Sequence, residues 1–230
     1  MARGGRGSVV RQVHQMISSG HMPAAHHAST LPDIDELRRR CQALAVLDAI
    51  LCPEWEYRYF SFNADWSEHE MLASMRNGEG DDFQILFHPA GAVIKGYVHA
   101  SVMAKDCPWP GLLQDIPASL LTGIEEFAVD KTTFCLWRSA ESSSWTAGTL
   151  DAYPEGDDPD GSGQLLSFLD GDPATYQTWG ESYYGVRLNP RAVEHIYRHE
   201  LLNPFIVKTL NSEVQLDEVR AEIRDIGFPV

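Results

Sequence analysis

Between Trp55 and His99 the chain changes character every few residues, and this rhythm constrains its fold more than any other feature. Trp55-Glu56-Tyr57-Arg58-Tyr59-Phe60-Ser61-Phe62 alternates and is rich in aromatics, as strands prefer. Met71 to Arg76 follows and is closed by Asn77-Gly78, while Phe83 to Phe87 and Val93 to His99 flank His88-Pro89-Ala90-Gly91, a four-residue hairpin connection. Thr132 to Arg138 reads as a further strand. Short strands mostly joined by tight turns define an antiparallel sheet of about five strands.

Helices bracket this sheet. Ile34, Leu37, Cys41, Leu44, Leu47 and Leu51 recur at intervals of three and four, which predicts an amphipathic helix between Asp33, with Glu36 as its capping-box partner, and Pro53. Its opposite face carries Arg38, Arg39 and Arg40, a basic run that reads as a solvated helix face or as a docking patch for an acidic partner. Gln114 to Thr122 is expected to be a short helix with Pro117 in its first turn. Further on, Asp172-Pro173, Asn189-Pro190 and Asn203-Pro204 each set a capping side chain before a proline, marking three helix starts. A last helix, Leu216 to Ile226, ends at Gly227. The fold class is therefore α+β: a sheet packed by an N-terminal helix, with a helical C-terminal subdomain. Residues 1–30 are expected to be a disordered or non-native extension. Residues 31–230 form one α+β domain, divided into helix plus sheet over 31–150, an acidic loop over 151–172 and the helical subdomain over 173–230.

Charge narrows the function. The formal net charge is −15, but residues 1–30 hold Arg3, Arg6 and Arg11 and no acid. The remaining 200 residues hold 15 basic and 33 acidic groups, a net −18. Such a body repels a phosphate backbone, so a general nucleic-acid binder is excluded. No apolar stretch approaches the 18 residues that a membrane helix needs. Cys41, Cys52, Cys107 and Cys135 form no CxxC pair and read as reduced thiols of a cytoplasmic protein.

No complete catalytic constellation is present. Gly-x-Ser-x-Gly, GxGxxG and a phosphate-binding Gly-Lys-Ser/Thr loop are all missing. His195 and His199 stand four apart on an expected helix, but Ile196 occupies the position where a zinc protease carries glutamate. A simple metal site there needs a third ligand. Asp157-Asp158-Pro159-Asp160-Gly161 resembles the start of a calcium loop. Pro159 breaks its alternation, however, and the twelfth position is Phe168 rather than glutamate. No cofactor is implied.

Two surfaces stand out instead. One is the acidic loop, where Asp157, Asp158 and Asp160 suit a basic protein partner. The other is the sheet, where Arg58, Arg76, Lys95 and Arg138 lie among aromatics. There Lys95, Tyr97 and His99 alternate onto one face, and Trp109 sits in the rigid Cys107-Pro108-Trp109-Pro110-Gly111 loop. If Arg58, Arg76, Lys95, His99 and Arg138 converge on one cavity, the chain is an enzyme or sensor for an anionic ligand. If each is paired with a carboxylate, it is not.

Trp55 to Asn63, Met75 to Asp81, Ile94 to His99, Trp109-Pro110-Gly111 and Thr132 to Arg138 resemble an uncharacterised family of small soluble bacterial proteins. The likeness spans residues 35–228 and implies a bacterial cytosolic setting; no activity is known for that family, so none is implied. Small, acidic α+β composition is also similar in type to toxin-neutralising immunity proteins. The expectation is a non-enzymatic protein-binding module, with the anionic-ligand pocket and a His195/His199 metal site as the alternatives.

Overall fold

The computed structural model describes residues 24–230. Arg3, Arg6, Arg11, His14 and His21, which carry the basic character of the expected extension, lie outside the described residues. Packing begins earlier than residue 31: Ala24 opens a one-turn helix α1 (Ala24–His27), is itself buried, and donates its amide to the Asp160 carboxylate at 2.9 Å.

Six strands form one sheet in sequential order, each antiparallel to its neighbours: β1 (Phe60–Ser67), β2 (Glu70–Arg76), β3 (Asp82–His88), β4 (Gly91–Tyr97), β5 (Phe134–Ser139) and the short β6 (Thr146–Ala147). Two turns, Asn77-Gly78 and His88 to Gly91, are those the sequence marks; β1 and β2 are joined through His69 at φ +68°, and β5 follows β4 only after residues 98–133. Asn77 accepts the amides of Glu79 and Asp81, and Gly78 takes φ +74°, so β2 folds back onto β3. The register places Phe62, Ala73, Ile85, Ile94, Leu136 and Ala147 in one row across all six strands. The alternate row, Leu72, Leu86, Val93 and Trp137, faces the other way.

Both faces are covered. The second face meets Met103, Leu112, Ile116 and helix α3 (Ala118–Ile124), which starts four residues later than expected because Pro117 stands before its first turn. Burial on both faces explains why β4 reads as a continuous Ala-Val-Ile run rather than a clean alternation.

The first face packs on helix α2 (Ile34–Leu51), whose cap Asp33 accepts the Glu36 amide at 2.8 Å. This helix is amphipathic only in its first two turns. From Cys41 to Ile50 every residue is buried, because the C-terminal helices cover the face turned away from the sheet. Those helices are α5 (Pro173–Tyr184), α6 (Pro190–Tyr197), α7 (Pro204–Leu210) and α8 (Leu216–Asp225). The Asp172, Asn189 and Asn203 side chains cap the first three, each with proline at the first helical position.

All-round burial brings Asp48 of α2 into the core. Its carboxylate accepts the Tyr59 and Phe60 amides at 2.9 and 2.7 Å and the Tyr176 hydroxyl at 2.6 Å. The surrounding rings, Tyr59, Phe60, Phe168, Tyr176 and Trp179, meet mostly edge to face at centroid distances of 4.7–6.3 Å. Desolvation pushes the Asp48 carboxyl up to about 6, against the pull of these hydrogen bonds.

Candidate functional site

The strand expected over Trp55–Phe62 begins only at Phe60. Trp55–Tyr57 is instead a 3₁₀ turn between α2 and β1. Arg58 is the reason. Its guanidinium points inward, 5% exposed, and donates to the carbonyls of Cys52 (2.6 Å) and Pro53 (2.9 Å) at the root of the turn. It also clasps Glu222 of α8 with two nitrogens. With Arg58, Tyr59 and Phe60 all buried in succession, strand alternation is impossible, and the preceding residues are pushed outward.

What they form is a ledge. Pro53, Glu54, Trp55, Glu56 and Tyr57 are exposed in succession, Trp55 by 55% and Tyr57 by 61%. Arg76 at the end of β2 closes one side: its guanidinium carbon lies 3.7 Å from the Trp55 ring centroid and it donates to the Trp55 carbonyl at 2.6 Å. The Tyr183 hydroxyl reaches the Tyr57 carbonyl at 3.4 Å. Two large aromatics are therefore held outward on a short turn that is bonded at its root and along its side.

The other expected site residues do not converge. Lys95 is 2% exposed on the second sheet face, 3.4 Å from Gln84 and 3.9 Å from Asp82, and burial lowers its pKa. Tyr97 is half-buried at the end of β4. His99 lies beyond the strand, its Nδ1 2.7 Å from Asp81. Trp109 packs against the smaller core and donates to the Ala152 carbonyl at 3.3 Å rather than presenting its indole freely. Arg138 projects from the first face of β5 and donates to the Ser142 carbonyl at 2.8 Å. Arg58, Arg76, Lys95, Arg138 and His99 thus occupy both faces and one end of the sheet, and the expected single basic cavity is not formed. Arg138 instead lines a cleft of ≈ 430 Å³ with Arg38, His69 and His88. Asp33 and Asp35 line it too, so its fixed charges cancel.

The acidic loop is also corrected. Asp160 is fully buried, accepting the Ala24 amide, the Ser162 amide and hydroxyl, and the Tyr153 hydroxyl. Asp158 is half-buried and accepts the Gly163 and Gln164 amides at the start of helix α4 (Ser162–Leu166). Burial, together with the Asp160 charge, pushes its carboxyl up to about 6. The segment is a folded strap whose buried acids organise its backbone. Of the three carboxylates only Asp157 is exposed.

The histidine pair does not share a helical face. Helix α6 ends at Tyr197, and His199 follows in the left-handed region at φ +55°. His195 is engaged by Glu200 (2.9 Å) and the Leu201 carbonyl (3.1 Å), and His199 lies 2.7 Å from the Arg39 carbonyl. Among the described residues, no group of three or more His, Cys, Asp or Glu side chains is placed to hold a metal ion. All four cysteines are free, and no described helix is long and apolar enough to cross a membrane.

The exposed Trp55 and Tyr57 were hidden by their own alternation with charged residues, which mimics a strand. The usable signal was Pro53, which ends α2 and begins a turn, together with the adjacent buried pair Tyr59-Phe60. No protein family, curated protein or solved structure matches the chain.

Proposed function

We propose that the protein is a non-enzymatic binding module that docks a basic protein segment on the Trp55–Tyr57 ledge. The observation that carries this reading is the pair of aromatics, both more than half exposed, on a turn bonded at its root by Arg58 and along its side by Arg76. Exposed Trp and Tyr on a pre-ordered backbone are the commonest anchors of protein interfaces, because little entropy is lost when they are covered. Glu54 and Glu56 flank Trp55 and are exposed, which favours a cationic partner. The net −18 of residues 31–230 steers such a partner at long range. The four free thiols suit a reducing cytoplasm.

A selection from a random displayed-peptide library tests this reading. Sequences enriched on the wild-type protein carry net positive charge beside an apolar residue, and a Trp55→Ala/Tyr57→Ala variant with an unchanged circular dichroism spectrum does not enrich them. Enrichment that lacks a basic bias, or that persists on the double variant, removes the ledge as the docking surface.

A further inference from the structure

A second cleft, of ≈ 380 Å³, lies where the first turns of α2, the end of α6 and the turn before α5 meet. Arg39, Arg40 and Arg198 line it, with Glu36 and Glu194. Arg40 is seated at its base: Nε donates to Glu36 at 2.9 Å and Nη1 to the Leu169 carbonyl at 2.7 Å. Gly171 (φ +82°) closes over this guanidinium, and a Cβ there would stand 2.5 Å from the Arg40 Cζ, so only glycine permits the approach. Arg198 pairs with Glu194 at 2.9 Å. Arg39 differs from both. Its Nη2 reaches the Arg198 carbonyl at 3.4 Å, and no carboxylate lies within ion-pair distance among the described residues. The contact of His199 Nε2 with the Arg39 carbonyl at 2.7 Å ties the end of α6 to α2, the two elements that carry Arg39, Arg40 and Arg198.

Over residues 31–230 acids outnumber bases by 33 to 15, so an average patch of this surface is negative. Glu36 and Glu194, the carboxylates that line this cleft, are each bound to an arginine, and Arg198 also approaches Glu200 at 3.8 Å, so Arg39 is the one lining guanidinium with no carboxylate at ion-pair distance among the described residues. The arrangement leaves one guanidinium fork unpaired beside two that are anchored, which is the geometry that recognises planar or tetrahedral oxyanions. The cleft beside Arg138 has no such surplus.

We infer that the cleft between α2 and α6 binds the oxyanion group, phosphate or carboxylate, of a small ligand, with Arg39 as its main cation and Arg40 and Arg198 as supporting donors. Calorimetric titration of the full chain with inorganic phosphate, and separately with succinate, at low ionic strength tests this. One of the two saturates a single site; phosphate as the tighter probe assigns a phosphorylated ligand, and succinate a carboxylated one. Arg39→Gln, at an exposed position that leaves the thermal midpoint unchanged, weakens that binding about tenfold or more. Arg191→Gln, on the exposed start of the same α6, leaves it unaltered. Absence of saturation with both probes, or equal weakening by Arg39→Gln and Arg191→Gln, overturns the inference.

Discussion

Arg58, two residues before β1, is clasped by Glu222 of the last helix, 164 positions along the chain. The pair joins the root of the aromatic turn to the C-terminal subdomain. The guanidinium is buried while Glu222 is more than a third exposed, so the two halves of the pair are not equivalent. Arg58→Ala strips the Cys52 and Pro53 carbonyls of their donor and costs about 3 kcal/mol in urea unfolding. Glu222→Ala leaves those bonds in place but takes the counter-charge from a buried guanidinium; because Glu222 itself is partly screened by solvent, it costs less, about 2 kcal/mol. Hydrogen exchange at Trp55–Tyr57 rises in Arg58→Ala. Equal costs for the two variants contradict this division of roles.

Asp48 links stability to pH. Its carboxyl is raised to about 6 in the folded protein, above the ordinary value near 3.8. Between those values the folded state holds a proton that the unfolded state has lost, so the contribution of Asp48 declines as pH rises and is fully present only below about pH 4. Two units correspond to about 3 kcal/mol. The stability of wild type relative to Asp48→Asn is therefore greatest near pH 4 and falls by up to that amount by pH 7. Denaturant curves at both pH values read the difference, and comparison with Asp48→Asn cancels the similarly raised Asp158. A gap that widens with pH contradicts it.

Asp157 and Asp160 sit three positions apart with opposite roles. Asp160→Ala leaves the Ala24 and Ser162 amides without their acceptor, lowers stability by about 3 kcal/mol and opens the 151–172 strap to limited proteolysis. Asp157→Ala, at an exposed position, changes stability by less than about 0.5 kcal/mol.

Gly96, next to the last residue of β4, faces Phe134 so closely that an added Cβ would stand 2.0 Å from the ring. Gly96→Ala forces that ring to move within a filled core and costs about 2 kcal/mol, measured as a drop in thermal midpoint.

Much of the antiparallel meander and the three proline-started helices are legible because their signals are local: Asn77-Gly78 and His88 to Gly91 at two reversals, a capping side chain before each proline. The all-round burial of α2 is not, since it depends on helices more than a hundred residues away, and Asp48 reads locally as one more exposed acid. The same limit applies to Asp160, whose neighbours Asp157 and Asp158 suggest solvent until Ala24 folds over it. Their aromatic setting marks Arg58 and Arg76 as unusual, but it takes the tertiary contacts to make one anchor the aromatic turn from within while the other stacks on its tryptophan. A convergent pocket was the wrong geometry for cations spread across a sheet covered on both faces.

Docking on the Trp55–Tyr57 ledge, the function proposed above, stands or falls on the affinity of the best basic peptide from the displayed-library selection, measured by calorimetry for wild type and Trp55→Ala/Tyr57→Ala. Loss of a central aromatic anchor costs about 2 kcal/mol or more, so the double variant binds at least about thirtyfold more weakly. Asp157→Asn, on the strap surface, leaves the affinity unchanged. An unaltered affinity in the double aromatic variant, or a loss only in Asp157→Asn, would contradict the account.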